Sequence, residues 1–407
     1  MSSRTKYFIV SASTCVTALL LIGNVMGKGS GSQQDDTYKH LQVFTDVVGY
    51  IKTQYVEEPD MKSVTMGALN GMLESIDRFA SYLNADQYKE YLKYKDVKRA
   101  DVGLVLSKQQ GYIGVVGTVP NSPAAKAGLG SYDMIESIKG IATRDMPLAY
   151  AYMLLQGESN TPVEVSVVRV RHPEPQMVKL TRAMLVLPAV DSKMLPGQVG
   201  YINIDALSPA AVKETAAAVQ KLQKAGAQKL VVDARGCAMG APEDGIALAN
   251  LFMKSGQITY LKGQKVPQQN FAADPSKAVT DLPMAYLTNR GTADGAEIAA
   301  AALQDTKRAQ VVGERTYGDA AMRKAITMDD GGAIILSVAK YYAANGKAIQ
   351  DNGVVPATVV AEPDIQVDYD ENGEPIAEAQ DAQQAPKKTE DDPVVKKALE
   401  LLAVKAG

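Results

Sequence analysis

The alternation of apolar runs between Gln198 and Gly313 constrains the fold more than any other feature of this chain. Residues 199–204, 230–233, 284–288 and 310–313 read as short buried strands, and 210–224, 246–253 and 295–303 carry helical spacing between them. Strand and helix in turn predict a largely parallel sheet with crossover helices, an α/β core. Beyond it, 320–327 and 333–342 flank Asp329-Asp330-Gly331-Gly332, a good hairpin turn.

The rest of the chain has other periods. Leu41, Phe44, Val48, Ile51 and Tyr55 recur at helical spacing, as do Val64, Ala68, Leu69, Met72 and Ile76 after Pro59, and a third helix is expected over 85–94. From about 100 to 185, β-rich runs such as 113–119 and 163–170 alternate with Gly, Pro, Asn and Ser turns, which predicts a small β-rich module. Residues 362–392 are acidic with few large apolar side chains and are expected to be a disordered linker before a short helix at 394–404. A chain of 407 residues has room for two or three domains. The division expected is a leader (1–28), a helical amino-terminal region (36–97), the β-rich module (98–186), the α/β core (187–361), the linker (362–392) and a closing helix (393–407).

Composition removes several function classes. The formal net charge of −3 gives no broad basic field for nucleic acid. The two cysteines, Cys15 and Cys237, make no disulfide framework, and His40 and His172 have neither metal-ligand nor triad spacing, so no metal or cofactor is expected. Arg4 and Lys6 precede an almost uncharged stretch over 7–26, the layout of an export signal. The exit Val25-Met26-Gly27 is a poor cleavage site, so of a cleaved signal peptide and a retained membrane anchor the anchor is the reading preferred, with the body of the chain in the periplasm or cell envelope.

Within the β-rich module, Ala100-Asp101-Val102-Gly103-Leu104-Val105, Asn121-Ser122-Pro123-Ala124-Ala125-Lys126-Ala127-Gly128-Leu129 and Tyr132-Asp133-Met134-Ile135 resemble a PDZ domain of bacterial envelope proteases. In such a module the N–H groups of a Gly-containing loop grip a carboxylate while a strand edge pairs with an extended peptide. Val102, Gly103, Leu104 and Val105 are the expected loop, and Met153 and Leu154 the expected groove lining. Asp101 stands where that family usually has Gly, placing an anion beside the carboxylate pocket.

Over about 43–356 the sequence is similar to carboxyl-terminal (tail-specific) processing proteases. The likeness rests on Gly71-Met72-Leu73-Glu74-Ser75-Ile76-Asp77, Gly200-Tyr201-Ile202, Asp233-Ala234-Arg235-Gly236, Val311-Val312-Gly313-Glu314, Gly346-Lys347-Ala348-Ile349-Gln350 and Gly353-Val354-Val355-Pro356. It implies a multidomain α/β chain with a ββα, crotonase-like core. Members cut peptide bonds with a Ser nucleophile and a Lys base oriented by Gln. A hydroxyl nucleophile needs a neutral amine within reach and N–H groups aimed at the developing oxyanion. Here the aligned blocks are Gly291-Thr292-Ala293-Asp294-Gly295-Ala296-Glu297 and Tyr317-Gly318-Asp319-Ala320-Ala321-Met322-Arg323. Asp294 replaces the nucleophile, Asp319 the base and Arg323 the orienter. The oxyanion turn reads Cys237-Ala238-Met239-Gly240, with Met239 in place of a Gly.

No intact catalytic set results, and Thr292 is the only hydroxyl nearby. Asp294 with Glu297 has the spacing of a helix-capping arrangement; a charge pair of Asp294 with Arg323 and a new carboxylate chemistry are the other readings. The function expected is that of a pseudoprotease binding carboxyl-terminal peptides of envelope proteins, with an active protease or a second copy of the chain as the further partners expected. An active endopeptidase with unconventional residues, or a structural subunit oligomerising through its terminal helices, are the alternatives.

Overall fold

The computed structural model describes residues 31–362 and 389–404, apart from 96, 110, 132, 170 and 171. The leader, Tyr132 and most of the acidic stretch lie outside the described residues. Among the described residues no helix is long and apolar enough to cross a membrane. The chain divides into a unit ending at Ala68 and a second that begins at Leu69. The first holds α1 (Gly31–Gln54) and the opening of α2 (Met61–Glu74).

The second unit continues with β1 (Ser81–Leu83) and α3 (Ala85–Tyr94). The α3 entry is fixed by reciprocal capping: Asn84 accepts the Gln87 N–H at 3.0 Å, and the Gln87 side chain accepts the Asn84 N–H at 3.1 Å. A six-stranded antiparallel sheet follows, built from β2 (Leu104–Gln109), β3 (Tyr112–Thr118), β4 (Met134–Ile138), β5 (Ile141–Ala142), β6 (Pro162–Arg169) and β7 (His172–Thr181), with the short α4 (Pro123–Lys126) and α5 (Leu148–Leu155). The order β2-β3-β4-β6-β7 leaves β2 on the edge. Val163, Val165 and Val167 alternate inward with Ile113, Ile135 and Leu155 to form its core.

The α/β core holds β8 (Asp191–Leu195), β9 (Val199–Asn203), α6 (Pro209–Lys224), β10 (Lys229–Asp233), α7 (Pro242–Asn250), β11 (Gln257–Lys262), β12 (Gln269–Ala272), β13 (Met284–Thr288), α8 (Gly295–Asp305), β14 (Gln310–Gly313), β15 (Ala321–Thr327), β16 (Ala333–Tyr342), β17 (Thr358–Val359) and α9 (Pro393–Val404). Its main sheet runs β17-β14-β13-β10-β9-β8, parallel except for β8. The central strand β13 is buried at every residue, as a strand covered on both faces must be. Leu222, Leu248 and Ile298, from α6, α7 and α8, join the core on one face. On the other, Val394, Val395, Ala398 and Leu402 of α9 pack on Val231, Ala285 and Leu287. A second sheet, β1-β16-β11-β12 with β15 on β16, is antiparallel throughout.

Two expectations change. The ends of the acidic stretch are fixed: Asp392 accepts the Val394 and Val395 N–H groups at 2.9 and 3.0 Å, capping α9, and Glu362 and Asp392 both pair with Arg235 at 3.1 and 2.9 Å. The apolar face of α9 is consumed inside the chain's own core, so it is not a free oligomerising surface.

Candidate functional site

The site begins where β13 hands over to α8. Between them Asn289 accepts the N–H groups of Gly291 at 3.0 Å and Gly236 at 2.9 Å, drawing the turn after β10 against the turn after β13. Thr292 is fully buried and its hydroxyl donates to the Ala234 carbonyl at 2.8 Å. That hydroxyl holds the loop, also accepting the Asn289 N–H at 3.0 Å, and among the described residues no amine or imidazole is bonded to it. Asp294 then adopts φ 51°, ψ −120°, a sharp strand-to-helix elbow that strains a residue with a Cβ. The elbow puts Asp294, the residue expected at the nucleophile's position, at the amino end of α8.

Glu297, one turn into α8, is the hub of the site. It is fully buried and accepts the N–H groups of Asp294 at 3.0 Å, Gly318 at 2.6 Å and Asp319 at 2.7 Å, together with the Thr316 hydroxyl. One carboxylate thus ties the elbow to the loop carrying Asp319. Burial pushes its carboxyl up to about 7 despite these donors. The Glu297 N–H meets the Asp294 backbone carbonyl at 3.0 Å. Asp294 itself is partly buried, and burial, followed by the neighbouring Asp319 charge, drives its carboxyl well above the usual carboxylate range.

Arg323 forms its ion pair with Asp319 and lies over the Phe79 ring at 4.3 Å. The hydrogen-bonded partner of Arg323 is therefore Asp319; Asp294 feels the guanidinium only as a nearby charge. Burial opposes the Arg323 charge, and the Asp319 carboxylate outweighs it.

The turn expected to shape an oxyanion hole is closed on itself. The Gly295 N–H, the amide that follows the elbow residue, points at the Gly240 carbonyl at 3.3 Å, and the Leu207 N–H donates to Met239 at 2.8 Å. Met239 avoids positive φ, which falls on Gly240 instead. The close approach depends on Gly295, since a Cβ there would stand 2.4 Å from the Ala241 carbonyl oxygen. Val105 and Val116 of the β-rich module pack on Ala238 and Ala293, covering the same place.

Of the residues expected to line a peptide groove, Val102 and Leu104 turn into the module's own core. Leu154 packs on that core from α5, and Val105 faces Tyr317 and the elbow. Gly103 has φ +82°, and a Cβ on it would come 2.3 Å from Ser122 Cβ, so this loop requires Gly. Met153 lines a cavity of about 410 Å³ whose wall also includes Tyr152, Tyr91, Phe79, Asp319 and Arg323. Phe79, Tyr152 and the coordinating role of Glu297 escaped the sequence reading; only the spacing of Glu297 from Asp294 signalled one of them. Among the described residues no group of His, Cys, Asp or Glu side chains is arranged to hold a metal ion.

Residues 198–360 match the model of peptidase family S41. A carboxy-terminal-processing protease of Bartonella bacilliformis is 30% identical over 337 residues, 82% of this chain and 77% of that protein. One from Synechocystis sp. is 32% identical over 340 residues, 82% and 78% of the two chains. Among solved structures, a photosystem II D1 C-terminal processing protease superposes with TM-score 0.65 at 25% identity, over 78% of this chain and 86% of that one. With the elbow, the parallel sheet and the closing strands arranged as described, the chain belongs to the carboxy-terminal processing protease family.

Proposed function

We propose that this chain is a non-cleaving member of its family: an exported receptor, anchored by residues 7–26, that holds protein carboxyl termini in the PDZ-type groove between β2 and α5 without hydrolysing them. One observation carries the reading. The elbow that should offer an activated hydroxyl offers Asp294, and the amide that should receive an oxyanion is turned to the Gly240 carbonyl. No amine stands at the base position, where Asp319 is bound to Arg323. The PDZ-type reading is supported by the Gly103 loop and by β2 lying on a sheet edge beside α5, the elements that receive an extended peptide by strand addition.

The test is incubation of the full chain with an unfolded protein bearing an apolar tail, read by intact mass across acid to neutral pH. Unchanged substrate is expected. Cleavage abolished by Asp294→Ala or Asp319→Ala would establish a carboxylate mechanism in its place.

A further inference from the structure

Two backbone N–H groups at and just before β2, those of Gly103 and Leu106, are already taken by side chains of the chain itself. The Asp101 carboxylate accepts the Gly103 N–H at 2.8 Å. Its backbone is fixed by paired bonds with Ala183, at 2.9 and 3.0 Å. On the edge strand β2, the Leu106 N–H donates to the Tyr152 hydroxyl at 2.8 Å, and that hydroxyl faces the Leu106 carbonyl at 3.3 Å. Tyr152 comes from α5, the opposite wall, so its hydroxyl bridges the groove. Burial pushes the Tyr152 phenol up, and it stays protonated, able to accept and donate at once.

Both groups copy a ligand. A carboxylate on a loop N–H is what a peptide's terminus supplies, and an acceptor and donor on one residue of an edge strand are what its backbone supplies. We propose that the groove is self-liganded: Asp101 and Tyr152 occupy the positions of a bound carboxyl-terminal peptide, and a ligand binds by exchanging with them. This rests on the receptor reading above. Exchange leaves the hydrogen-bond count nearly unchanged, so affinity comes from the apolar side chains that enter the cavity of about 410 Å³ beside Met153 and Leu148. Tyr152 shares the wall of the same cavity with Asp319 and Arg323, so its displacement by a ligand is felt at that centre.

The experiment compares the full chain with Tyr152→Phe and Asp101→Ala, using a short peptide ending Ala-Val-Leu as free acid and as amide, with amide hydrogen exchange read at Leu106 and Gly103. Tyr152→Phe keeps the ring and should tighten both peptides by roughly 2- to 10-fold, the worth of one released hydrogen bond. Asp101→Ala should tighten the free acid more than the amide. Exchange should speed at Leu106 in the first variant and at Gly103 in the second. Weaker or equal peptide binding in both variants overturns the self-ligand while leaving the receptor standing. If no form binds either peptide the receptor reading fails, and unchanged exchange at both amides then removes the self-ligand as well.

Discussion

The Glu297 carboxylate accepts the Asp319 N–H at 2.7 Å, across twenty-two residues of sequence. The same carboxylate takes the Asp294 N–H at 3.0 Å, so the elbow and the loop carrying Asp319 are held in one geometry. Glu297→Gln should therefore destabilise the fold by about 2–3 kcal/mol, because whichever way the amide turns, its NH2 faces a backbone N–H. Chemical denaturation measures this; a variant as stable as wild type removes Glu297 from the centre of the site.

Acid should stabilise the same centre. A carboxyl whose folded value lies above its unfolded one binds more protons in the folded state, so stability falls as pH rises between the two values. For Glu297 that window runs from 4.5 to about 7, and Asp294 is displaced in the same direction. Unfolding free energy should decline across this window, and the decline should shrink in Asp294→Asn. A rise over the same range contradicts the buried carboxylates.

Arg323→Gln should cost about 1–2 kcal/mol, since it strips Asp319 of its ion pair and Phe79 of the guanidinium above it. The triple change Asp294→Ser, Asp319→Lys, Arg323→Gln should be tolerated better, because it removes the carboxylate pair along with its cation. Thermal melts of the two variants decide the order. The triple variant should still cut nothing, given that the Gly295 N–H is committed to Gly240.

The closing helix should matter for stability as a core element. Leu402 is 1% exposed against the second face of the parallel sheet, and Leu402→Ala should cost about 2–4 kcal/mol. A loss below 1 kcal/mol would mean that α9 is not docked there in solution.

The sequence made the central elements legible because their periods are clean. β13 and β14 begin and end where the apolar runs do, and α3 starts at its Asn84 cap. Strands without such a run stayed hidden: β8 buries only Leu195, and β12 buries none of its four residues. Within the site, the motif pointed to Asp294, Asp319 and Arg323, and these side chains do converge with Glu297. The partner of Arg323 was not readable, because spacing along β15 does not say which of two carboxylates a long side chain reaches. Asp101 beside Gly103 was legible as a charge near a loop; Tyr152 reaching Leu106 depends on how α5 lies over β2, which no local pattern encodes.

The central claim, binding without cutting, is tested most directly by recovering a free-acid peptide from its complex with the full chain after prolonged incubation and weighing it by mass spectrometry. The account predicts a peptide retained at full length. A retained or released peptide that has been shortened at its carboxyl end, with shortening abolished in Asp294→Ala, would contradict it.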